Sequence, residues 1–440
     1  MQKLHLALAA VLAAGTSLSA NATNWLKLQG TEPSGSTDRA KLWGFIQPEY
    51  DYTSNSKLPA GPWNGQKAVF NQIGPDLNSS STFNLRRARV GVRGANFPLD
   101  GKTNYFLLFE GGDNGITKFT KGGSAVALTD ASVTLNYIPH ARVRVGQFKY
   151  PGEEEGLQAI HVFNYINFTG VTDQLLLERF FDGDGSNTQD ENEPVAFGAF
   201  RDIGIQVFDW FNWMGMEHTY AAMLGNGSGV DREDNNNEKD YYLYWASEKV
   251  FGDSKGPRRE GLKFLGWYQK GERSLEFVNG VAGKQDYDRK RYGVGSTFRK
   301  GKWRAAAEYV WADGMVLNGT DGGAVPGSRN NANTATASFN ISPDGKADGY
   351  YVDLGYKVMP RLELDLRYDY LDRVKNQDPN EREFTNWTVG AQWWFNKKTR
   401  ALVNYEIRDA KAPNFSSSAP PNQILDEVDN RISVQLLAIF

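Results

Sequence analysis

The sequence contains no cysteine among its 440 residues and only four histidines. Without cysteine it has neither a disulfide framework nor thiolate metal ligands, which argues against a disulfide-stapled secreted protein. So few histidines argue against a conventional zinc site. The formal net charge is −3, and a protein that binds nucleic acid needs a clustered basic excess. The composition therefore indicates no metal, no cofactor and no nucleic-acid partner.

Long apolar runs are also missing beyond the N-terminus, so no membrane-spanning helix is expected there. The mean hydropathy of −0.54 resembles that of a soluble protein. It does not exclude a membrane β-barrel, because such a barrel has a polar interior and long polar loops. Since every backbone polar group must be hydrogen-bonded within lipid, a closed barrel is the remaining way to cross a membrane.

The N-terminus has the composition of a secretion signal. Lys3 precedes an apolar run over 4–15, and Ala20-Asn21-Ala22 fits a small-x-small cleavage site. A single membrane anchor is the alternative, but the run is shorter than the roughly 20 residues that a spanning helix needs. We therefore predict a signal peptide over 1–22 and a mature domain over 23–440.

The C-terminus reads VDNRISVQLLAIF, with one apolar face that ends in Phe440. A final strand of this pattern resembles the C-terminal signal of bacterial outer-membrane barrels. An ordinary half-buried strand that happens to end in phenylalanine is the alternative. Together with the signal peptide and the absence of cysteine, the ending favours an outer-membrane barrel.

Most of the chain repeats one pattern, strands of about ten residues in which apolar and polar side chains alternate. The clearest is RLELDLRYDY at 361–370, which keeps five charged residues on one face and leucines and tyrosines on the other. The fold class predicted is all-β, a transmembrane antiparallel β-barrel of about 16 strands, an even number as bacterial barrels have. The strands are predicted at 41–52, 83–94, 102–110, 129–138, 141–149, 201–209, 216–224, 240–249, 260–270, 289–299, 302–312, 348–358, 361–371, 385–395, 399–408 and 429–440.

The connections between these strands alternate between short and long, which predicts short periplasmic turns and long extracellular loops. The short ones are 95–101, 139–140, 300–301, 359–360 and 396–398. The long ones are 53–82, 111–128, 150–200, 225–239, 313–347, 372–384 and 409–427. A soluble β-protein has no physical reason to sort its loops in this way.

Two strands concentrate arginine. If the intervening apolar residues face lipid, the lumen is lined by Arg87, Arg89, Arg93, Arg142 and Arg144, whereas Arg86 lies on the outer phase at the upper rim. Guanidinium groups stay charged, so a narrow pore lined by them attracts anions. Alternatively, inward acids could pair with them and leave a merely polar wall; the candidates are Glu49, Asp130, Asp202, Glu308 and Asp353.

The longest connection, at about 150–200, contains a stretch too apolar for water, GLQAIHVFNYINFTGVTDQLLLERFF. Burial inside the barrel predicts a constriction loop that narrows the channel. It opens with Glu153, Glu154 and Glu155, and an acidic loop opposite a basic wall would create a transverse field. Alternatively, these glutamates are solvated at the rim.

The same connection contains a weak calcium-loop candidate, formed by Asp182, Asp184, Asp190 and Glu193. An acidic surface loop is the simpler interpretation. The sequence has no nucleophile–base arrangement and no HExxH motif. It therefore indicates no catalytic residues and no enzyme.

The segments LRRARVGVRG, VRVGQFKYP, LLLERFF, RDIGIQVF and LGNGSG, in this order, resemble the phosphate-selective porin O/P family. The resemblance implies a sixteen-stranded outer-membrane barrel, usually a homotrimer and often anion-selective. It also implies basic pore-lining residues, here Arg87, Arg89, Arg93, Arg142, Arg144 and Lys149. The sequence departs from the family at PGEEEG, which is acidic where a strongly phosphate-selective pore would want lysine or arginine.

We predict an outer-membrane porin of a Gram-negative bacterium, for passive diffusion of small hydrophilic solutes, with anions such as phosphate favoured. Its partners would be outer-membrane lipid and these solutes. One alternative is a non-conducting barrel that scaffolds an electron-transfer or secretion partner. Another is a secreted soluble β-rich binding protein or a glycan-active enzyme.

Overall fold

The computed structural model describes residues 24–29, 39–54, 56–68, 81–112, 126–178, 198, 200–230, 234, 236–253, 256–278, 281–318, 330–334 and 340–440. The predicted signal peptide lies outside these residues. So do the four residues of the calcium-loop candidate, Asp182, Asp184, Asp190 and Glu193.

Antiparallel strands close into one barrel, in the order β1-β18-β17-β16-β15-β14-β11-β10-β9-β8-β7-β6-β5-β4-β3-β2. Their bounds are β1 Lys41–Thr53, β2 Ser81–Ala95, β3 Thr103–Glu110, β4 Ala127–Ile138, β5 Ala141–Lys149, β6 Arg201–Trp213, β7 Met216–Gly225, β8 Asp240–Val250, β9 Gly261–Val278, β10 Val281–Lys300, β11 Trp303–Asp313, β14 Lys346–Met359, β15 Leu362–Arg373, β16 Arg382–Trp394, β17 Thr399–Lys411 and β18 Arg431–Ile439. A separate two-stranded sheet pairs β12, Val316–Asn318, with β13, Asn340–Ser342. The prediction of a sixteen-stranded barrel is confirmed.

Alternation along each strand separates an apolar outer face from a polar lumen. On β15, Leu364 and Leu366 are 48% and 40% exposed, whereas Glu363 and Asp365 are each 3% exposed. Successive side chains of a strand point to opposite faces, so one sequence period satisfies both environments. The predicted orientation of this strand is therefore confirmed.

Strands β9 and β10 extend well beyond the predicted 260–270 and 289–299. Their ladder continues through the pairs Glu272↔Asp288 and Arg273↔Tyr287. This part of the hairpin has polar residues at both odd and even positions, so apolar–polar alternation cannot reveal that it is a strand. The short β12–β13 sheet was also not predicted, since three-residue strands carry too little pattern.

Short turns join the strands at one end of the barrel, which we call the turn end. It includes the turns at 139–140, 214–215 and 301–302. Most connections at the opposite end, which we call the loop end, are longer. None of the helices in the described ranges is long and apolar enough to cross a membrane.

The barrel closes between the first and the last strands. Ile46 pairs with Ala438, the Phe440 N–H donates to the Gly44 carbonyl at 2.9 Å, and the Gly44 N–H donates to the Phe440 carbonyl at 3.3 Å. The C-terminal residue thus completes the ladder, and its ring lies over the place where Gly44 lacks a side chain.

Replacing Gly44 with alanine is expected to weaken this closure. An added Cβ would lie 2.3 Å from Phe440 Cζ and 2.4 Å from the Arg89 carbonyl oxygen. We expect a loss of about 1–3 kcal/mol in the free energy of unfolding, the usual cost of overpacking, measured by urea unfolding in detergent. Gly266→Ala is the control, because its nearest atom would lie 3.8 Å away. Equal stability of the two variants would contradict this account.

Candidate functional site

The arginines predicted on β2 face the lumen. Arg87 and Arg89 are 2% and 6% exposed, and Arg93 is half-buried. The Arg87 guanidinium donates to Gln47 Oε1 at 3.2 Å, and Arg89 Nε donates to Glu110 Oε2 at 2.6 Å. One of the two is thus held by a neutral amide and the other by a carboxylate.

Arg86 does not lie on the outer phase, so that prediction is wrong. Its side chain is 3% exposed and lies 3.8 Å from the Glu49 carboxylate. The pairing of β1 with β2 shifts register between Gln47 and Pro48, which pair with Arg87 and Leu85. This bulge leaves Arg86 without a strand partner and turns it inward with Arg87.

The basic residues of β5 also face inward, but their hydrogen-bond partners differ from one another. Arg142 donates to the Asp209 carboxylate and lies over the Trp210 ring. Arg144, fully buried, donates to Thr134 Oγ1 at 3.2 Å.

Lys149 ends β5 and holds the connection that follows. Its ammonium donates to the carbonyl oxygens of Gly156 and Gln158 at 2.6 and 2.7 Å. Both acceptors belong to the segment 151–178, which we call the inward loop. Lys149 therefore fixes the root of this loop through neutral oxygens.

The inward loop crosses the lumen to the far wall. The Tyr165 hydroxyl donates to Asp353 Oδ1 on β14 at 2.6 Å. The backbone N–H of Ile166 donates to Asn404 Oδ1 on β17 at 2.8 Å. Since β14 and β17 lie far from β5 around the closed sheet, the loop divides the interior.

The apolar side chains of the loop are buried inside the barrel. Ile160, Val162, Phe163, Tyr165 and Ile166 are all at most 9% exposed. Four of them pack with wall residues in one cluster that includes Phe45, Leu402 and Leu437. Burial of this apolar surface in the lumen holds the loop there.

The three loop glutamates lie inside the barrel and are not solvated at a rim. Glu154 accepts from Lys263 Nζ at 2.6 Å, and Glu155 accepts from Arg367 Nη1 at 3.2 Å. Their charges are thus neutralised by strands β9 and β15. These two residues brace the loop between the walls.

Glu153 differs from the other two glutamates. It is 1% exposed, and in the described part of the chain its Oε1 has no hydrogen-bond partner. Burial raises the pKa of Glu153 to about 8, and the nearby charges of Glu308 and Glu155 add to this rise, whereas Lys149 opposes it. The carboxyl is therefore neutral at neutral pH.

Glu153 should make ion preference depend on pH. Below a pH of about 8 the group is protonated, and above it the lumen gains one negative charge beside Lys149. We expect the anion preference, measured as a reversal potential, to fall as pH rises from roughly 6 to roughly 9. Glu153→Gln should reduce this change. A pH dependence of undiminished size in the variant would assign it to another group.

Sequence reasoning did not single out the most heavily paired cation, Arg304. It binds Asp353, Glu363 at 3.0 Å and Asp365 at 2.6 Å. Nearby, Arg367 also donates to the Asn167 carbonyl at 3.1 Å. Both arginines lie on the inward phase of alternating strands, and this phase is a signal that the sequence carries. The partners of Arg304 come from other strands, and those of Arg367 come from the inward loop.

A vestibule opens on the loop-end side of the inward loop. Among its lining residues are Arg86, Arg408 and Arg431, together with Asn167 and Glu406. Arg431 pairs with Glu406 at 2.5 Å. The lining also includes Asp173 and Asp409, so the vestibule carries three arginines and three carboxylates.

A short N-terminal segment, Asn24–Gln29, lies in the lumen near the turn end. It contains one helical turn, Trp25–Leu28. Trp25 and Leu26 are 4% and 0% exposed, and Trp25 Nε1 donates to Glu154 Oε1 at 2.8 Å. No feature of the sequence had indicated this placement.

Comparison with known proteins agrees with this architecture. A sequence model of the family described as phosphate-selective porin O and P matches residues 67–414. No curated protein matches the chain significantly. Solved structures do match, at low sequence identity, and three of them describe the similarity.

An anion-selective porin from Comamonas acidovorans is 14% identical with a TM-score of 0.53, over 92% of this chain and 100% of that chain. OmpF of Salmonella typhi, in complex with daunomycin, is 12% identical with a TM-score of 0.55, over 93% and 100%. A loop-deletion mutant of OmpT from Vibrio cholerae is 11% identical with a TM-score of 0.52, over 92% and 100%. These structures share the barrel fold with the chain.

Proposed function

The chain belongs to the phosphate-selective porin O and P family and is a porin of the Gram-negative outer membrane, and from this premise we propose that small anions diffuse passively through it along strands β2 to β5. Porins are channels and not enzymes, so a secreted binding protein or glycan-active enzyme no longer applies. In this membrane the turn end faces the periplasm and the loop end the exterior.

The observation that carries the proposal is a group of cations on the β2–β5 side that neutral oxygens hold. On the β2–β5 side, Arg87, Arg144 and Lys149 donate to neutral oxygens. Within the described residues none of the three forms a direct ion pair. On the far wall, Arg304 is bound to carboxylates and Arg400 donates to neutral oxygens, so neutralisation there is mixed. A cation held by neutral groups is not compensated by a carboxylate, so its field still attracts anions in the lumen.

The basic residues on this side do not contribute equally to the anion preference. Arg89 and Arg142 are paired with Glu110 and Asp209, as the polar-wall alternative expected. We therefore assign the anion preference mainly to Arg87, Arg144 and Lys149. In this proposal Arg89 and Arg142 shape the wall and contribute less net field.

The acidic opening of the inward loop does not oppose anion passage in this proposal. Glu154 and Glu155 are compensated by Lys263 and Arg367. Inorganic phosphate therefore stays among the proposed solutes. The loop sets the size limit, because it crosses the lumen between opposite walls.

The proposal is tested by flux through proteoliposomes that contain the purified protein. Anionic, neutral and cationic solutes of equal size are compared in a swelling assay. The anion should enter fastest, and Arg87→Gln should slow the anion alone. As a matched control, the double variant Arg201→Gln/Asp130→Asn removes a 2.8 Å ion pair of the same region without changing net charge. No flux from a folded barrel would instead favour the scaffold alternative.

Two further features belong to the proposal. We propose that residues 1–22 are removed on secretion, so N-terminal sequencing of the protein from outer membranes should begin at Thr23.

We also propose a homotrimer, as the family resemblance implies. The unheated protein in detergent should have the mass of three chains, and a single-chain mass would contradict this assembly.

A further inference from the structure

The N-terminal segment, residues 24–29, occupies places where a permeating anion would bind. The carbonyl oxygen of Leu26 accepts from Arg144 Nη2 at 3.0 Å. The carbonyl oxygen of Leu28 accepts from Arg93 Nη1 at 3.2 Å. Both arginines belong to the predicted pore lining, so part of the basic wall is already engaged by the chain itself.

These carbonyls are suited to this role because they end a helix. The turn Trp25–Leu28 uses the carbonyls of Asn24 and Trp25 for its own hydrogen bonds, to the N–H groups of Leu28 and Gln29. The last carbonyls of a helix have no partner within it. Guanidinium groups satisfy two of them, and the segment thereby presents an anion-like pair of oxygens.

The segment lies at the turn end of the lumen, against the wall and the inward loop. Asn24 Nδ2 donates to Thr219 Oγ1 on β7 at 2.9 Å, and Gln29 Nε2 donates to the Leu157 carbonyl of the inward loop at 2.8 Å. Lys27 lies over the Trp210 ring at 4.6 Å. The segment therefore bridges the wall and the inward loop beside Arg144.

The segment is held in the lumen by non-covalent contacts. A helix of four residues is not stable alone in water, so lumen contacts hold it. Those contacts include two buried side chains, Trp25 and Leu26, and hydrogen bonds to the wall and to the inward loop. No covalent link is available, because the chain has no cysteine.

We infer that the N-terminal segment is a resident gate of this porin. Its Leu26 and Leu28 carbonyls compete with permeating anions for Arg144 and Arg93, and anions reach the periplasmic mouth when the segment is displaced. This inference rests on the proposed anion path along β2 to β5. It adds to that path a resident competitor supplied by the chain.

The first test uses single-channel currents of the protein purified from outer membranes, in planar bilayers. Trp25→Ala/Leu26→Ala removes the buried anchors and keeps the backbone. Its conductance should rise, and its reversal potential should move further to the anion side. Trp213→Ala is the matched control, because this tryptophan lies at the same end of the barrel but is 62% exposed. Unchanged conductance in the anchor variant would overturn the inference.

The second test does not depend on weakening the fold. Asn24→Cys/Thr219→Cys places the only two thiols of the protein beside each other, and a short reducible methanethiosulfonate cross-linker joins them. Cross-linking should abolish most of the current, and a reductant should restore it. Equal currents before and after reduction would contradict a gate. Absence of current from the unmodified chain and every variant would instead defeat the proposed porin path.

Discussion

Replacing Arg304 with methionine is expected to lower the free energy of unfolding of the barrel by roughly 3–5 kcal/mol. Arg304 binds three carboxylates from β14 and β15, those of Asp353, Glu363 and Asp365. All four side chains are at most 10% exposed. Without the arginine, three buried acids face one another, and Coulomb repulsion adds to the cost of their burial.

The measurement is urea-induced unfolding in detergent, followed by tryptophan fluorescence. A variant that also carries Asp353→Asn, Glu363→Gln and Asp365→Asn supplies the control. Removing the whole network leaves no uncompensated charge, so much of the lost stability should return. If the single variant unfolds like the original protein, water must solvate these acids, and they do not form a buried network.

Replacing Arg367 with methionine is expected to widen the channel. Arg367 holds the inward loop to β15 by donating to Glu155 and to the carbonyl oxygens of Asn167 and Phe168. With these bonds gone, the loop loses its attachment to β15 through Arg367 and is held less firmly to the far wall. Single-channel conductance should rise by about twofold or more, since the narrowest section limits current.

The matched control for this change is Arg361→Met. Arg361 is exposed in the turn that precedes β15, so its loss removes the same charge without touching the loop. Its conductance should equal that of the original protein. A rise in both variants would mean that charge, and not release of the loop, controls the current.

Alternation explains why so much of the barrel could be predicted from sequence. Along β15 the outward Leu364 and Leu366 and the inward Glu363 and Asp365 obey the period of two that lipid and water impose. The same period places Arg87, Arg89, Arg142 and Arg144 inward. Whether a side chain faces lipid or the lumen is a local property of its strand, so the alternation of the sequence predicts it directly.

Contacts between distant segments could not be predicted in the same way. Arg86 turns inward because β1 and β2 shift register at Gln47/Pro48, and this bulge depends on both strands. Lys149 anchors the inward loop and Arg304 gathers three acids, but neither partner set follows from one strand. The N-terminal segment has no periodic pattern at all, because a single helical turn exists only through its contacts.

The net charge of the predicted basic wall could not be predicted from the sequence either. This is shown by the neutral oxygens that accept from Arg87, Arg144 and Lys149. The alternation along a strand predicts which cations face the lumen, but it does not predict whether a carboxylate lies next to them. Arg89 and Arg87 are two residues apart, and only Arg89 meets an acid, Glu110. Net charge at the wall therefore follows from cross-strand register, which the structure supplies.

The reversal potential of the protein purified from outer membranes, in a planar bilayer under a salt gradient, tests the central claim most directly. An uncompensated basic wall predicts a potential on the anion side, a smaller potential for Arg87→Gln, and no change for Arg201→Gln/Asp130→Asn. A potential on the cation side, or one equal in all three proteins, would contradict the assignment of anion preference to the β2–β5 wall.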